Sequence, residues 1–284
     1  MILGTSFSHP YVRDHFQLSV EKAFAELLNL KLSLVRLSCY WNEVETESGK
    51  YDFGEITELL KMAQKVEQKI ILTVGMKAIR WPEFYVPSWT NYEQVVENPE
   101  RLLLFIKKTI EMVSKYTCVC YLQIENEPFD KSGPQKLIIP LEILEQEINI
   151  ARQLSQLPII LTAWGNKSLK DNRLKELSKL ADIIGLDLYY QIPDGKGGYW
   201  GPENSNDEIK RIINKSNKPI WITELQTNPW KNLLGLSPEE IMATNFFQAK
   251  QLSVEAILFW GYEYRYSQSQ LKPQLLLDYQ PDFS

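Results

Sequence analysis

Short apolar and β-branched runs alternate along the chain with longer stretches in which apolar residues recur every three or four positions. The short runs lie at 2–6, 33–38, 69–75, 118–124, 158–163, 182–188, 218–223 and 255–260, each of strand length. Between them, Ile56, Leu59, Leu60, Ala63 and Val66 mark one buried helix face. Leu102, Phe105, Ile106, Ile110 and Val113 mark a second. Ile143, Leu144, Ile148, Ala151 and Leu154 mark a third, interrupted by Glu147. Ser237, Pro238 and Glu240 supply an N-cap, a first-turn proline and a capping carboxylate, so a helix is predicted to start there. The last helix is sought over 268–279.

Eight strands, each followed by a crossover helix, predict a (β/α)8 TIM barrel, read as a single domain over 1–284. The competing doubly wound sheet usually carries a glycine-rich phosphate turn after its first strand. Here that place holds Phe7-Ser8-His9-Pro10. No linker rich in Pro, Gly or Ser divides the chain, and no sequence repeat is present.

Composition narrows the partners. With 44% hydrophobic and 24% charged residues the chain reads as an ordinary globule, which excludes disorder, collagen and a pure coiled coil. The net charge of −5, with no basic run, argues against nucleic acid and against an anionic membrane surface. No apolar run approaches the roughly 20 residues that span a bilayer, and no signal peptide is seen, so a cytoplasmic location is expected for the chain as it stands. Cys39, Cys118 and Cys120 form no CxxC pair and sit in apolar runs, as buried free thiols do. His9 and His15 are the only histidines. That scarcity opposes histidine-rich zinc sites and a Ser/His/Asp triad, so neither a metal nor a cofactor is expected.

In a barrel of this kind the chemistry sits at the C-terminal ends of the strands. Trp41, Trp81, Trp89, Trp164, Trp200, Trp230 and Trp260 all end or follow strand candidates, and Trp221 alone lies inside one. Rim aromatics suit stacking on the apolar faces of sugar rings, although each could instead pack loops together. Ile124-Glu125-Asn126-Glu127-Pro128 closes the fourth strand and Trp221-Ile222-Thr223-Glu224-Leu225-Gln226 the seventh. A carboxylate beside a β-branched run is costly to bury unless it is paired or functional. Two at the ends of strands four and seven suit glycosidic cleavage with retention, which needs one nucleophilic carboxylate and one proton-holding acid. Arg36 at the end of the second strand could support the ionised member. Tyr189 or Tyr190 could donate a hydrogen bond to it, and alternation sends the other away.

These segments resemble clan A glycoside hydrolases, the cellulase/β-galactosidase superfamily of retaining β-glycosidases on (β/α)8 barrels. Asn126-Glu127-Pro128 matches the fourth-strand acid/base motif, and Ile222-Thr223-Glu224 the seventh-strand nucleophile. Val35-Arg36-Leu37, Trp41-Asn42-Glu43, Gly49-Lys50-Tyr51-Asp52-Phe53 and the eighth-strand Trp260 also resemble the clan. The resemblance implies catalysis by Glu127 and Glu224. It implies substrate contacts from Arg36, Trp41, Asn126, Trp164, Tyr189, Tyr190, Trp200, Trp230 and Trp260, and a carbohydrate as the partner. Family 5 members usually line this cleft with histidines, and none stands at the matching places. Gln123-Ile124-Glu125-Asn126-Glu127 and Thr223-Glu224-Leu225-Gln226 with Pro229-Trp230 lean towards β-galactosidase families, so no family is assigned. Two other readings stand beside this one. A catalytically silent sugar-binding barrel has no chemical reason to keep both glutamates. A metal-dependent hydrolase or phosphate isomerase is opposed by scarce histidine and by the lack of a phosphate loop.

Overall fold

The computed structural model describes residues 1–167, 169, 172–227 and 237–270. Eight parallel strands close into a barrel: β1 (Ile2–Ser6), β2 (Leu34–Tyr40), β3 (Ile70–Gly75), β4 (Val119–Ile124), β5 (Ile159–Trp164), β6 (Ile183–Leu188), β9 (Ile220–Leu225) and β10 (Ala256–Phe259). Each pairs with its neighbours in sequence, and β1 pairs with both β10 and β2 to close the ring. The predicted (β/α)8 architecture is therefore present, with β9 and β10 as its seventh and eighth strands. A short antiparallel hairpin, β7 (Ile192–Pro193) and β8 (Tyr199–Trp200), interrupts the crossover after β6.

Helices α1 (Val20–Asn29), α3 (Gly54–Lys65), α5 (Glu100–Val113), α6 (Leu141–Leu154), α7 (Asn172–Leu180), α8 (Asn206–Lys215) and α9 (Pro238–Lys250) follow barrel strands; the short α2 (Trp41–Val44) and α4 (Tyr92–Glu97) sit in the rim loops. The predicted buried faces of α3, α5 and α6 lie against the strands, except that Val66 falls at the exposed cap of α3 and Leu154, the last residue of α6, is exposed as well. Ser237 accepts from the Glu240 N–H while Glu240 reaches back to the Ser237 N–H, the expected reciprocal cap of α9. The last helix departs from expectation. It forms as α10 (Tyr262–Gln270), directly after Gly261 and three residues past the end of β10, whereas most of 268–279 lies outside the described residues. Among the described residues no helix is long and apolar enough to cross a membrane. All three cysteines are free thiols, with Cys39 and Cys118 buried.

Strand alternation divides the interior. Val35, Leu37 and Cys39 face the helices and join the main core, and Leu72, Leu161, Leu186 and Ile222 do the same on their strands. Facing the barrel axis near its floor, Leu34, Ile71, Ile160, Ile183, Trp221, Ala256 and Leu258 form a second apolar cluster. One step up, the axis-facing residues turn polar: Arg36, Gln123, Thr162, Asp187 and Thr223 are all buried. Gly185 makes room for this layer, because a Cβ there would meet the Thr223 hydroxyl at 2.3 Å.

Candidate active site

A register irregularity builds the seventh-strand corner. Between β6 and β9 the pairing slips from Leu186↔Ile222 to Asp187↔Glu224, and a matching slip occurs against β10. Two residues thus stand where regular pairing allows one. Thr223 and Glu224 both turn towards the axis, Thr223 donating to Asp187 Oδ1 at 2.7 Å and Glu224 meeting Arg36 and Tyr189.

Glu224 is 4% exposed and is held by two donors, the Arg36 guanidinium on Oε1 and the Tyr189 hydroxyl on Oε2. Both stabilise a negative charge. Burial, then the neighbouring Glu224 charge, pushes the Tyr189 hydroxyl well above its usual range, so it remains a donor. Arg36 is itself fixed by the Gln123 Oε1 at 3.2 Å, and the Gln123 amide donates to Asn126 Oδ1 at 3.2 Å. Asn126 therefore joins the same network at its far end. Tyr190, two residues past the end of β6, points outward and donates to Asn206 on α8 at 3.3 Å.

Glu127 leaves the end of β4 in a left-handed conformation, φ +43°, and Glu125 does so at φ +58°. Such backbone costs about 1–2 kcal/mol per non-glycine residue and persists where surrounding bonds impose it. Here Thr162 Oγ1 accepts from the Glu127 N–H at 2.7 Å. The buried Lys77 ammonium spans the Glu127 and Asp130 carbonyls at 2.8 and 2.9 Å and Ser132 Oγ at 2.7 Å, with Glu83 at 3.3 Å. The Glu127 carboxyl is 6% exposed and has Ser132 Oγ at 3.3 Å. Burial first, then the charges of Asp187, Glu83 and Asp130, holds it well above the usual carboxylate range despite Lys77. These surroundings favour the protonated carboxyl. Asp187 contributes to that field. It is fully buried, its Oδ2 has no hydrogen-bond partner among the described residues, and burial and Glu224 raise it as well.

The neighbouring Glu125 does something different. Its left-handed backbone swings the carboxylate over Gly75, where a Cβ would lie 2.3 Å away, and onto the N–H groups of Met76 at 2.9 Å and Lys77 at 2.6 Å. It fastens the tops of β3 and β4 together. Behind it Glu147, the polar interruption on α6, is fully buried against the same carboxylate. Burial raises both, Glu125 to about 7 and Glu147 well above its usual range.

The aromatic residues divide. Trp260 faces the mouth, its ring 6.4 Å from Tyr189 and 4.9 Å from Tyr264, with the buried Arg80 guanidinium 4.6 Å from its centroid. Arg80 is anchored by Glu263 and Ser6. Trp164 at the end of β5 meets Trp200 of the hairpin at 5.5 Å, and Lys167 stands 5.4 and 5.3 Å from the two rings. Asp130 ties this pair to the Glu127 loop by accepting from the Trp164 N–H at 2.9 Å. Trp41 is a correction. β2 runs on to Tyr40, so Trp41 shares the outward parity of Val35, Leu37 and Cys39. It is 0% exposed, stacked on Phe105 of α5 at 5.7 Å, with its indole N–H on Glu45 at 2.7 Å. Trp89 packs edge-on against it. Trp81 stays half-buried, its carbonyl accepting from the Tyr11 and Tyr85 hydroxyls. Trp230 lies outside the described residues.

Asp187, Gln123, Lys77, Glu83, Ser132 and Arg80 escaped the sequence reading. Asp187 carried a signal, an acidic residue at an axis-facing position two before Tyr189. The others are joined only by the fold.

No protein-family model matches the chain, and no curated protein matches it. Solved structures do match in fold. A polyextremophilic β-galactosidase from the Antarctic haloarchaeon Halorubrum lacusprofundi superposes with a TM-score of 0.61 at 14% identity, over 91% of this chain and 52% of that one. The chain thus spans about half of that protein's length. A GH5_18 variant from Bifidobacterium longum subsp. longum, crystallised with Manb1-4GlcNAc, gives 0.67 at 11% identity, over 98% and 78%. A GH10 endo-β-1,4-xylanase from Gloeophyllum trabeum gives 0.62 at 12%, over 91% and 83%. These likenesses establish the barrel fold.

Proposed function

We propose that the chain is a catalytic barrel hydrolysing β-linked glycosides with retention, with Glu224 as nucleophile and Glu127 as acid/base. The observation that carries this reading is the asymmetry of the two carboxyls. Glu224 is held by a guanidinium and a phenol that favour an anion, whereas Glu127 sits among other acids that favour its proton. Two such groups at one mouth divide the labour of double displacement. Glu224 attacks the anomeric carbon as the bond to the leaving oxygen breaks, and Glu127 passes that oxygen its proton. Water then gives its proton to Glu127 and attacks the same carbon, releasing Glu224. Trp260, beside Tyr189, offers a platform for the sugar at the cleavage point. Trp164 and Trp200, tied through Asp130 to the Glu127 loop, suit the leaving-group side. The structural neighbours, a β-galactosidase, a xylanase and a barrel crystallised with Manb1-4GlcNAc, support a carbohydrate substrate.

Azide rescue tests the roles. Glu224→Ala should abolish turnover of aryl β-glycosides, and azide should restore it with inverted configuration. Glu127→Ala should slow poor leaving groups by about 10²–10⁴-fold, activated phenols far less, and azide should yield a retained product. Wild-type activity in both variants sinks the proposal. A screen of aryl β-glycosides with glucan, mannan, xylan and galactan then names the sugar.

A further inference from the structure

On the rim outside the catalytic mouth, a cavity of about 390 Å³ opens between the loops after β1 and β2 and the start of α3, lined in part by His9, Arg13, Asn42, Glu43 and Glu55. His9 is 3% exposed. Its Nε2 points between Glu43 Oε2 at 3.6 Å and Glu55 Oε2 at 3.9 Å, beyond hydrogen-bond reach of either. Its Nδ1 is buried and has no partner among the described residues; neither has the buried Asn42 Oδ1 on the same cavity wall. Charge is unbalanced too. The single Arg13 guanidinium, carried on a π-helical turn over Tyr11–His15, faces three carboxylates, Asp14, Glu43 and Glu55.

We infer that His9, Glu43 and Glu55 form a binding site for a divalent first-row transition ion such as zinc, with Arg13 as the competing internal cation. Two donors bound at about 2.0–2.2 Å to one such ion lie roughly 3–3.5 Å apart; the His9 nitrogen stands 3.6 and 3.9 Å from the two carboxylate oxygens and all three atoms lie within 4.8 Å of one another, so a modest contraction brings the one nitrogen and two oxygens into range. One imidazole with two carboxylates selects zinc or cobalt over calcium or magnesium, which take oxygen alone. Asn42 Oδ1 stands ready as a further oxygen donor or as the acceptor for a bound water. Arg13 already holds Asp14 through Nε at 2.8 Å and Nη2 at 2.6 Å, so it keeps an anionic partner when it yields Glu43 and Glu55. The bound ion would fasten the π-helical turn, the loop after β2 and α3 together. The site contains neither Glu127 nor Glu224, so it belongs to the frame of the mouth rather than to bond cleavage.

Calorimetric titration of the tag-free, full-length protein with Zn²⁺, paired with the visible absorption of Co²⁺, tests this. One saturable site per chain is expected. Arg13→Gln should tighten it about tenfold by removing the competing cation, and His9→Ala should weaken it by at least tenfold. Should His9→Ala fail to fold, Glu55→Gln, altered on the half-buried first turn of α3, is expected to weaken binding by a similar factor. Absence of saturable binding in both the wild type and Arg13→Gln overturns the site. So does binding that neither His9→Ala nor Glu55→Gln weakens.

Discussion

The floor and the mouth of this barrel are made from the same eight strands, one pleat apart, and follow opposite rules. At the floor Leu34, Ile71, Ile160, Ile183, Trp221 and Leu258 fill the axis with apolar volume, and their one side-chain polar atom, the Trp221 indole N–H, donates to Glu255 at 3.4 Å. At the mouth Arg36, Gln123, Asp187, Thr223 and Glu224 take the next axis-facing positions, and each polar atom needs a partner or costs stability. Arg36 Nε and Asp187 Oδ2 have none among the described residues. The contrast teaches that stability and chemistry are separated along the barrel axis, not between different elements.

Four substitutions sharpen or break that separation. Arg36→Met leaves Glu224 buried without its cation. It should cost about 3–5 kcal/mol in denaturant unfolding and abolish activity; a fully active variant would show that the mouth does not depend on this pair. Leu258→Ala removes apolar volume from the floor and should cost about 3 kcal/mol while kcat per folded molecule stays near wild type. A large loss of kcat there would join the two layers. Glu147→Gln tests the acid pair behind the mouth. Because the Glu147 carboxyl is raised by burial and then by Glu125, its contribution to stability is present below the ordinary carboxylate range. It is lost as pH rises towards its folded value, since the unfolded chain ionises first. Glutamine keeps a neutral donor at every pH. Thermal melts should therefore nearly match at pH 4.5 and favour the variant at pH 7.5. Tyr189→Phe is the mildest change. It removes one hydrogen bond to Glu224, worth about 1.5–3 kcal/mol, so kcat should fall at least tenfold while the melting temperature falls by about 3–12 °C.

Much of the frame was legible in the sequence. Eight apolar runs placed the strands to within one or two residues, and Ser237 with Glu240 placed the start of α9. Periodicity reports burial against neighbours that every strand and helix must have. The rim was less legible. Trp41 was assigned by its place after a strand, but β2 continues two residues beyond Ser38, and alternation then turns Trp41 towards α5. Glu125 and Glu127 share one pentapeptide and face different ways because both backbones are left-handed, which neither side chain announces. Lys77, Glu83 and Ser132 meet around Glu127 from two separate loops, and no local pattern records a contact of that range. His9 read as one of two scarce histidines, and its setting between Glu43 and Glu55 is likewise a product of the closed ring.

The slip between β6 and β9 makes the seventh-strand corner sensitive to chain length as well as to residue identity. Losing one residue between Ile222 and Leu225 would restore even pairing with β6 and leave a single axis-facing place where Thr223 and Glu224 now stand. A gene that lost the Thr223 codon would still encode a glutamate, a closed ring and an intact floor, and that glutamate would take the single axis-facing place opposite Asp187 without the Thr223 hydroxyl beside it. Descendants of this chain can therefore lose the doubled corner, and with it the hydroxyl that meets Asp187, through a single three-base deletion that spares both glutamates.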